Sequence, residues 1–189
     1  MKSNQAAQST MPTQRVVFAG GPGGGKSTLL RALHLRGYGV VADSARAIIQ
    51  ARRSRSLSPR SPPLEFAQAI LHQDIQQYGE QTSRSGLVFF ERGVVDALGM
   101  LHGIGALPDN ELRAFLSSYP YHRQVFLFPP WEAIYANDAE RDQTFAEAAR
   151  VYQGASDWYQ HCGYELVELP KVSIAERCAY VLQVLGAGT

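Results

Sequence analysis

Apolar positions in this chain fall into five short unbroken runs, separated by stretches where they recur every three or four residues. The runs are Arg15-Val16-Val17-Phe18-Ala19, Gly39-Val40-Val41-Ala42, Leu87-Val88-Phe89-Phe90, Gln124 to Phe128 and Glu165 to Leu169. They show little apolar/polar alternation, so they read as strands covered on both faces, the usual condition of parallel strands. Between them, Leu29, Leu30, Leu33 and Leu35 predict a helix over Ser27 to Arg36, stopped by Gly37. A short helix is expected over Ser44 to Gln50. Phe66, Ile70, Leu71, Ile75 and Tyr78 predict a longer one over Leu64 to Gln81. Further helices are predicted over Val94 to His102, Asn110 to Ser117 and Thr144 to His161, with a last one capped by Ser173 and running to Leu185. Strands alternating with helices imply an α/β fold of three layers, a five-stranded parallel sheet with helices on both faces.

Two segments break the pattern. Ala51 to Pro63 carries Arg52, Arg53, Arg55 and Arg60 with four serines, three prolines and no acid, a composition that predicts a flexible loop (51–63). Met1 to Gln14 is polar without an apolar core, so 1–14 reads as a disordered tail rather than a secretory signal, and 15–189 as one domain. A hydrophobic fraction of 45% suits an ordinary globule, and a net charge of +1 argues against a protein that coats nucleic acid or an acidic membrane. Cys162 and Cys178 lie outside any metal-ligand spacing and predict two reduced thiols. No apolar run approaches the ~20 residues of a membrane span. A cytoplasmic location is the expectation.

Gly20-Gly21-Pro22-Gly23-Gly24-Gly25-Lys26-Ser27 fits G-x-x-x-x-G-K-S and lies between a predicted strand and a predicted helix, the context the motif requires. Glycines let the backbone curl so that amide hydrogens converge on phosphate, and the following helix adds the positive end of its dipole. Gly21, Gly23, Gly24 and Gly25 are therefore the expected phosphate cradle. Lys26 is expected to reach the β- and γ-phosphates, the Ser27 hydroxyl to hold Mg²⁺, and Thr28 to add a phosphate or packing contact. ATP and Mg²⁺ are the cofactors this implies.

The remaining candidates each carry two readings. Glu91 ends the third strand, where it can hold the Mg²⁺ shell or simply be a strand-end surface acid. Arg92 beside it can contact phosphate or acceptor, or be solvated. Asp43 ends the second strand and can take a proton from an attacking hydroxyl, or cap the helix that starts at Ser44. Asp96, four residues beyond Arg92, can bind an acceptor hydroxyl or pair with Arg92. Arg46 can meet an acceptor anion or lie on the surface, and Gln73 and Gln77 share a helix face that can read a polar acceptor or be solvated. Trp131 to Asp142 forms a lid region (131–143) with Asn137 and Asp138, in which Arg141 can reach the γ-phosphate or pair with Asp138 or Asp142.

On Gly20 to Leu30, Asp43-Ser44-Ala45-Arg46, Glu91-Arg92-Gly93 with Asp96, Asn137-Asp138-Ala139-Glu140-Arg141 and Gly163-Tyr164-Glu165-Leu166 through Pro170, the chain resembles the small P-loop ATPase/kinase family of the ribosylnicotinamide-kinase-like domains. It resembles nucleoside and nucleotide kinases more distantly. By that resemblance Pro170 and Lys171 would border the adenine. The family position at Asp43 is often Glu. An ATP-dependent kinase acting on a small, nucleoside-like acceptor is the expectation. Its rivals are an ATP-hydrolysing switch acting through a protein partner and a nucleic-acid end kinase, the latter supported only by the Arg-rich loop. Lysines at 2, 26 and 171 alone leave no Asn-Lys-x-Asp motif for reading guanine. Arg92, standing where motor-type ATPases carry a second acid, favours a kinase.

Overall fold

A computed structural model describes residues 12–82, 84–135 and 144–187. Five strands, β1 (Gln14–Ala19), β2 (Gly39–Val41), β3 (Leu87–Glu91), β4 (Gln124–Leu127) and β5 (Glu165–Glu168), form one parallel sheet in the order β2-β3-β1-β4-β5. Val17 lies beside Phe90, Val41 beside the same Phe90, and Ala19 beside Leu127, so the carboxyl ends of the three central strands finish at one edge. Successive side chains leave a strand on opposite faces. Val16, Phe18, Phe89, Phe126 and Phe128 pack on one face against Leu29 and Leu33 of α1 (Lys26–His34) and Val181 of α7 (Ile174–Val184). Val17, Ala19, Val88, Phe90, Val125 and Leu127 pack on the other. There they meet α3 (Pro63–Glu80), α4 (Val94–Gly103), α5 (Asp109–Ser118) and α6 (Phe145–His161) through Ala67, Leu98, Leu112 and Tyr159. The predicted three-layer fold is the observed one, and the unbroken apolar runs are explained by helices on both faces.

Three details differ from the pattern. Helix α2 (Ser44–Ser54) runs four residues into the stretch expected as loop, because Arg52 and Arg53 sit in its last turn beside the negative end of the helix dipole, and Arg52 Nε ties down Ser58 O at 2.7 Å. The connection to α3 is thereby shortened to 55–62. Leu35, expected on the apolar face of α1, is 80% exposed, since the helix ends at His34 and the chain turns away through Gly37. Gln14, expected in the tail, is the first residue of β1, paired with Leu87.

Candidate functional site

The phosphate cradle follows β1 directly. Gly25 is the residue before α1 and has φ 90°, a left-handed conformation that costs glycine nothing and a β-branched or bulky residue a good deal. Gly21 serves a different need: a Cβ there would lie 2.4 Å from the Ala148 carbonyl of α6, so the first turns of that helix sit directly on the loop. Lys26, the first residue of α1, is buried and donates to Gly20 O at 3.1 Å and Gly21 O at 2.6 Å. Burial, with the nearby Arg92 charge, brings its ammonium down to about 8 against the opposing pull of Glu91, Asp43 and Asp96. A cation so placed gains from an anionic ligand that restores its charge balance.

At the same edge, Ser27 Oγ donates to Glu91 Oε1 at 3.0 Å, and Glu91 is buried at the tip of β3. A hydroxyl and a carboxylate side by side are the hard oxygen donors that Mg²⁺ takes alongside phosphate and water. The residues present therefore fit Mg²⁺ and a nucleoside triphosphate.

Arg92 leaves the strand at φ 64°, a left-handed conformation unusual for a residue with a side chain. Its amide donates to Phe18 O at 3.0 Å and its Nη1 to Asp43 Oδ2 at 2.7 Å. Asp43 Oδ1 meanwhile accepts the Ala45 amide at 3.0 Å. Asp43 is thus the cap of α2 as well as the partner of Arg92. Asp96 is not the main partner of Arg92: its Oδ2 accepts the Gly93 amide at 3.0 Å and the Tyr159 hydroxyl at 2.5 Å. Burial raises the Asp96 carboxyl, opposed by Arg92 and by these two donors.

Pro22, Gly23, Gly25, Lys26, Ser27, Asp43, Arg46, Glu91, Arg92 and Asp96 all border one cavity of about 720 Å³, which continues past the carboxylates to an apolar wall of Ile49, Phe66, Ile70 and Trp158. Gly21, Gly24, Thr28, Pro170 and Lys171 do not line it. Thr28 and Lys171 are exposed. Asn137, Asp138 and Arg141 lie outside the described residues.

Two site residues escape the sequence reading. Arg177 of α7 is fully buried beneath the cradle, donating from Nη1 to Gly24 O and from Nε to Pro170 O, both at 2.8 Å. Its guanidinium lies 4.7 Å from the Trp131 ring. Asp74 of α3 is buried against the cavity and accepts Ser44 Oγ at 2.5 Å. Each interrupts an apolar helical stripe, Ile174-Arg177-Cys178-Val181 and Phe66-Ile70-Asp74, and a charge on such a stripe is the signal that was available in the sequence.

The fold and this edge together define a P-loop protein, and comparison narrows the class. The sequence matches the AAA domain family over residues 15–177, and the chain belongs to that family. No curated protein matches it. Among solved structures it is similar to thymidylate kinase from Candida albicans, at TM-score 0.66 and 13% identity, covering 93% of this chain and 92% of that one. It is also similar to deoxyadenosine kinase from M. mycoides with products dCMP and dCDP bound, at TM-score 0.65 and 10% identity, covering 92% and 100%. A third is thymidylate kinase from Ehrlichia chaffeensis, at TM-score 0.60 and 14% identity, covering 92% and 99%. At these identities the shared property is the fold. No helix among the described residues is long and apolar enough to cross a membrane.

Proposed function

We propose that this chain is an ATP- and Mg²⁺-dependent phosphotransferase that moves the γ-phosphoryl group to a hydroxyl of a small, nucleoside-like acceptor. The observation that carries this reading is the continuity of the cavity: the Lys26–Ser27–Glu91 edge opens past Asp43 and Arg92 into a chamber with apolar walls. A volume of about 720 Å³ is within the range of sites that enclose a whole small ligand, more than a triphosphate tail needs. A switch that only hydrolyses ATP has no use for a second chamber. The likeness in fold to nucleoside and nucleotide kinases agrees with it.

In this mechanism the backbone amides of Gly21, Gly23, Gly24 and Gly25 and the Lys26 ammonium hold the β- and γ-phosphates, and Ser27 and Glu91 would hold Mg²⁺, which when bound neutralises charge on the phosphate oxygens. Asp43 orients the acceptor hydroxyl and Arg92 fixes that carboxylate while adding positive charge. The hydroxyl oxygen forms a bond to the γ-phosphorus, the bond to the β–γ bridging oxygen breaks, and the hydroxyl proton passes to Asp43. The transition state of such transfers is loose, so Asp43 acts both by orienting the hydroxyl and by taking its proton. Arg46 and Asp96 border the acceptor, Pro170 and Lys171 border the adenine, and Arg141 is assigned to the γ-phosphate.

An acceptor screen tests this. Nucleosides and nucleoside monophosphates are incubated with Mg·ATP, and ADP release is followed beside the mass of the product. ADP release that depends on an acceptor, with a product 80 Da heavier (one HPO₃ per acceptor), is expected. Rapid hydrolysis indifferent to every acceptor but stimulated by a protein would replace this reading with a switch. Transfer to oligonucleotide ends that weakens steeply with salt would replace it with an end kinase.

A further inference from the structure

Helix α3 sets Phe66, Ile70 and Asp74 four residues apart on one face, and all three line the cavity. The first two are apolar and buried. Asp74, only 6% exposed, puts a carboxyl group at the end of that apolar wall. Ser44, buried at the first position of α2, donates to Asp74 Oδ1 at 2.5 Å, and its Oγ also lies 3.0 Å from the Gln77 side-chain amide, at the position assigned to Oε1. One hydroxyl carries one proton. With that proton on Asp74, the second contact requires the Gln77 amide to present its NH₂ to Ser44, which gives a chain from Gln77 through Ser44 to Asp74. The chain holds the carboxyl by Oδ1, and Oδ2 has no hydrogen-bond partner among the described residues.

Asp74 is coupled electrostatically to Asp96, Asp43 and Arg92, and Lys26 is coupled to the same three. Asp43, Arg92 and Asp96 line the same cavity as Lys26 and Asp74, so one acceptor can reach from the transferred phosphate to the apolar wall. That wall also offers a flat surface. The Trp158 ring lines the cavity, is fixed by its indole N–H bond to Val95 O at 2.7 Å, and stacks with His161 at 5.5 Å.

We propose that Asp74, held in place by Ser44 and Gln77, recognises the acceptor by its heterocycle, taking an edge on which a hydrogen-bond donor lies next to an acceptor, as in an amino-substituted nucleobase. The inference rests on the phosphotransferase reading and names the acceptor class within it. Burial, opposed by the Ser44 hydrogen bond and assisted by Asp96 and Asp43, pushes the Asp74 carboxyl up to about 7, so both its forms are present near neutrality. The ionised form accepts from the amino group, and in the neutral form Oδ2 donates to the ring nitrogen while the second lone pair of Oδ1 accepts from the amino group. A site built to pair with such an edge rejects an analogue lacking it, because its own buried polar group is then left unpaired.

The test uses adenosine and cytidine beside purine riboside and pyrimidin-2-one riboside, which keep the sugar and ring but lack the exocyclic amino group. Binding is measured by calorimetry in the presence of Mg²⁺ and a non-hydrolysable ATP analogue, and transfer from ATP is measured in parallel. The full chain should bind at least one aminated nucleoside ~10-fold or more tightly than its deaminated partner. Asp74→Leu should erase that difference, raising the acceptor KM with little change in ATP affinity. Asp74→Asn, which keeps shape and hydrogen-bonding capacity, serves if the leucine variant does not fold, and should reduce the ratio. Absence of nucleoside binding, no difference within either pair, or an undiminished difference in a folded Asp74 variant overturns the inference. Aminated-edge discrimination that depends on Asp74 but comes without transfer would sink the phosphotransferase reading and leave this one standing. Transfer to nucleosides that ignores Asp74 would do the reverse.

Discussion

The two ends of the cavity are built on different principles. The phosphate end is made of backbone: eight consecutive residues, Gly20 to Ser27, supply the loop, the amides, the cation and the hydroxyl. The end proposed for the acceptor is made of side chains from four segments, with Asp43 before α2, Asp74 from α3, Arg92 after β3 and Asp96 from α4. Phosphate is the same in every nucleotide, so a local, repeatable device suffices to hold it. An acceptor is particular, and its site is assembled from distant pieces that can vary separately. Damage at the phosphate end should therefore affect nucleotide binding for any acceptor. Damage at the acceptor end should leave the nucleotide in place.

The two carboxylates proposed to act at the transfer divide along this line and give the largest expected effects. Asp43→Asn keeps a residue that caps helices as well as Asp does, so the fold should hold and ATP·Mg²⁺ affinity should stay nearly unchanged. Transfer should nevertheless fall by about 10²–10⁴-fold. Glu91→Gln should lower transfer and background hydrolysis by about 10²–10³-fold and weaken the dependence on Mg²⁺. Calorimetry with ATP beside acceptor turnover separates the two. Equal loss of Mg²⁺ dependence in both variants would erase the boundary between the two ends and leave Asp96 as the next base to test.

Lys26→Ala should cost about 100-fold in ATP affinity, the worth of a strong charge-assisted contact to phosphate. Its burial already brings the ammonium down to about 8, so removing it relieves a buried cation, and the melting temperature should stay within about 4 °C. A folded variant with unchanged ATP affinity would show that the cradle is not where nucleotide binds.

Arg177→Met probes whether the backbone device needs help from outside. Gly24 O and Pro170 O both lose a donor, so a loss of ~2 kcal/mol, or about 4–8 °C in melting temperature, is expected. ATP affinity should fall about 10-fold as the loop loosens. Loss of stability with intact ATP affinity would make Arg177 a packing residue only.

The last effect is a pH dependence at Asp74, and it has a definite sign. Its carboxyl is raised from 3.8 to about 7 in the folded state, so between those values the folded protein keeps a proton that the unfolded chain has released. Stability then falls as pH rises across that window. Asp74→Asn removes this dependence. Its melting temperature should match the parent near pH 4 and exceed it by about 10 °C at pH 8. A parallel pair of curves would mean that Asp74 is better solvated by the cavity than its burial implies.

Much of this protein was legible in its sequence because the relevant physics is local. Unbroken apolar runs alternating with helical stripes specify a parallel sheet between two helical layers, since no other arrangement covers both faces of every strand. The cradle was equally plain, because its eight residues are contiguous and their spacing is itself the geometry. Carboxylates at the tips of β2 and β3 could be placed at the ligand edge, as parallel strands end together. Which partner each one takes could not be read. Asp43 pairing with Arg92 and Asp96 with Tyr159 are choices made across 49 and 63 residues of chain. Asp74 and Arg177 became site residues only when α3 was laid beside α2, and α7 beneath the cradle. A buried charge is tolerated where the tertiary structure brings it a partner, and a single stripe of sequence does not contain that partner.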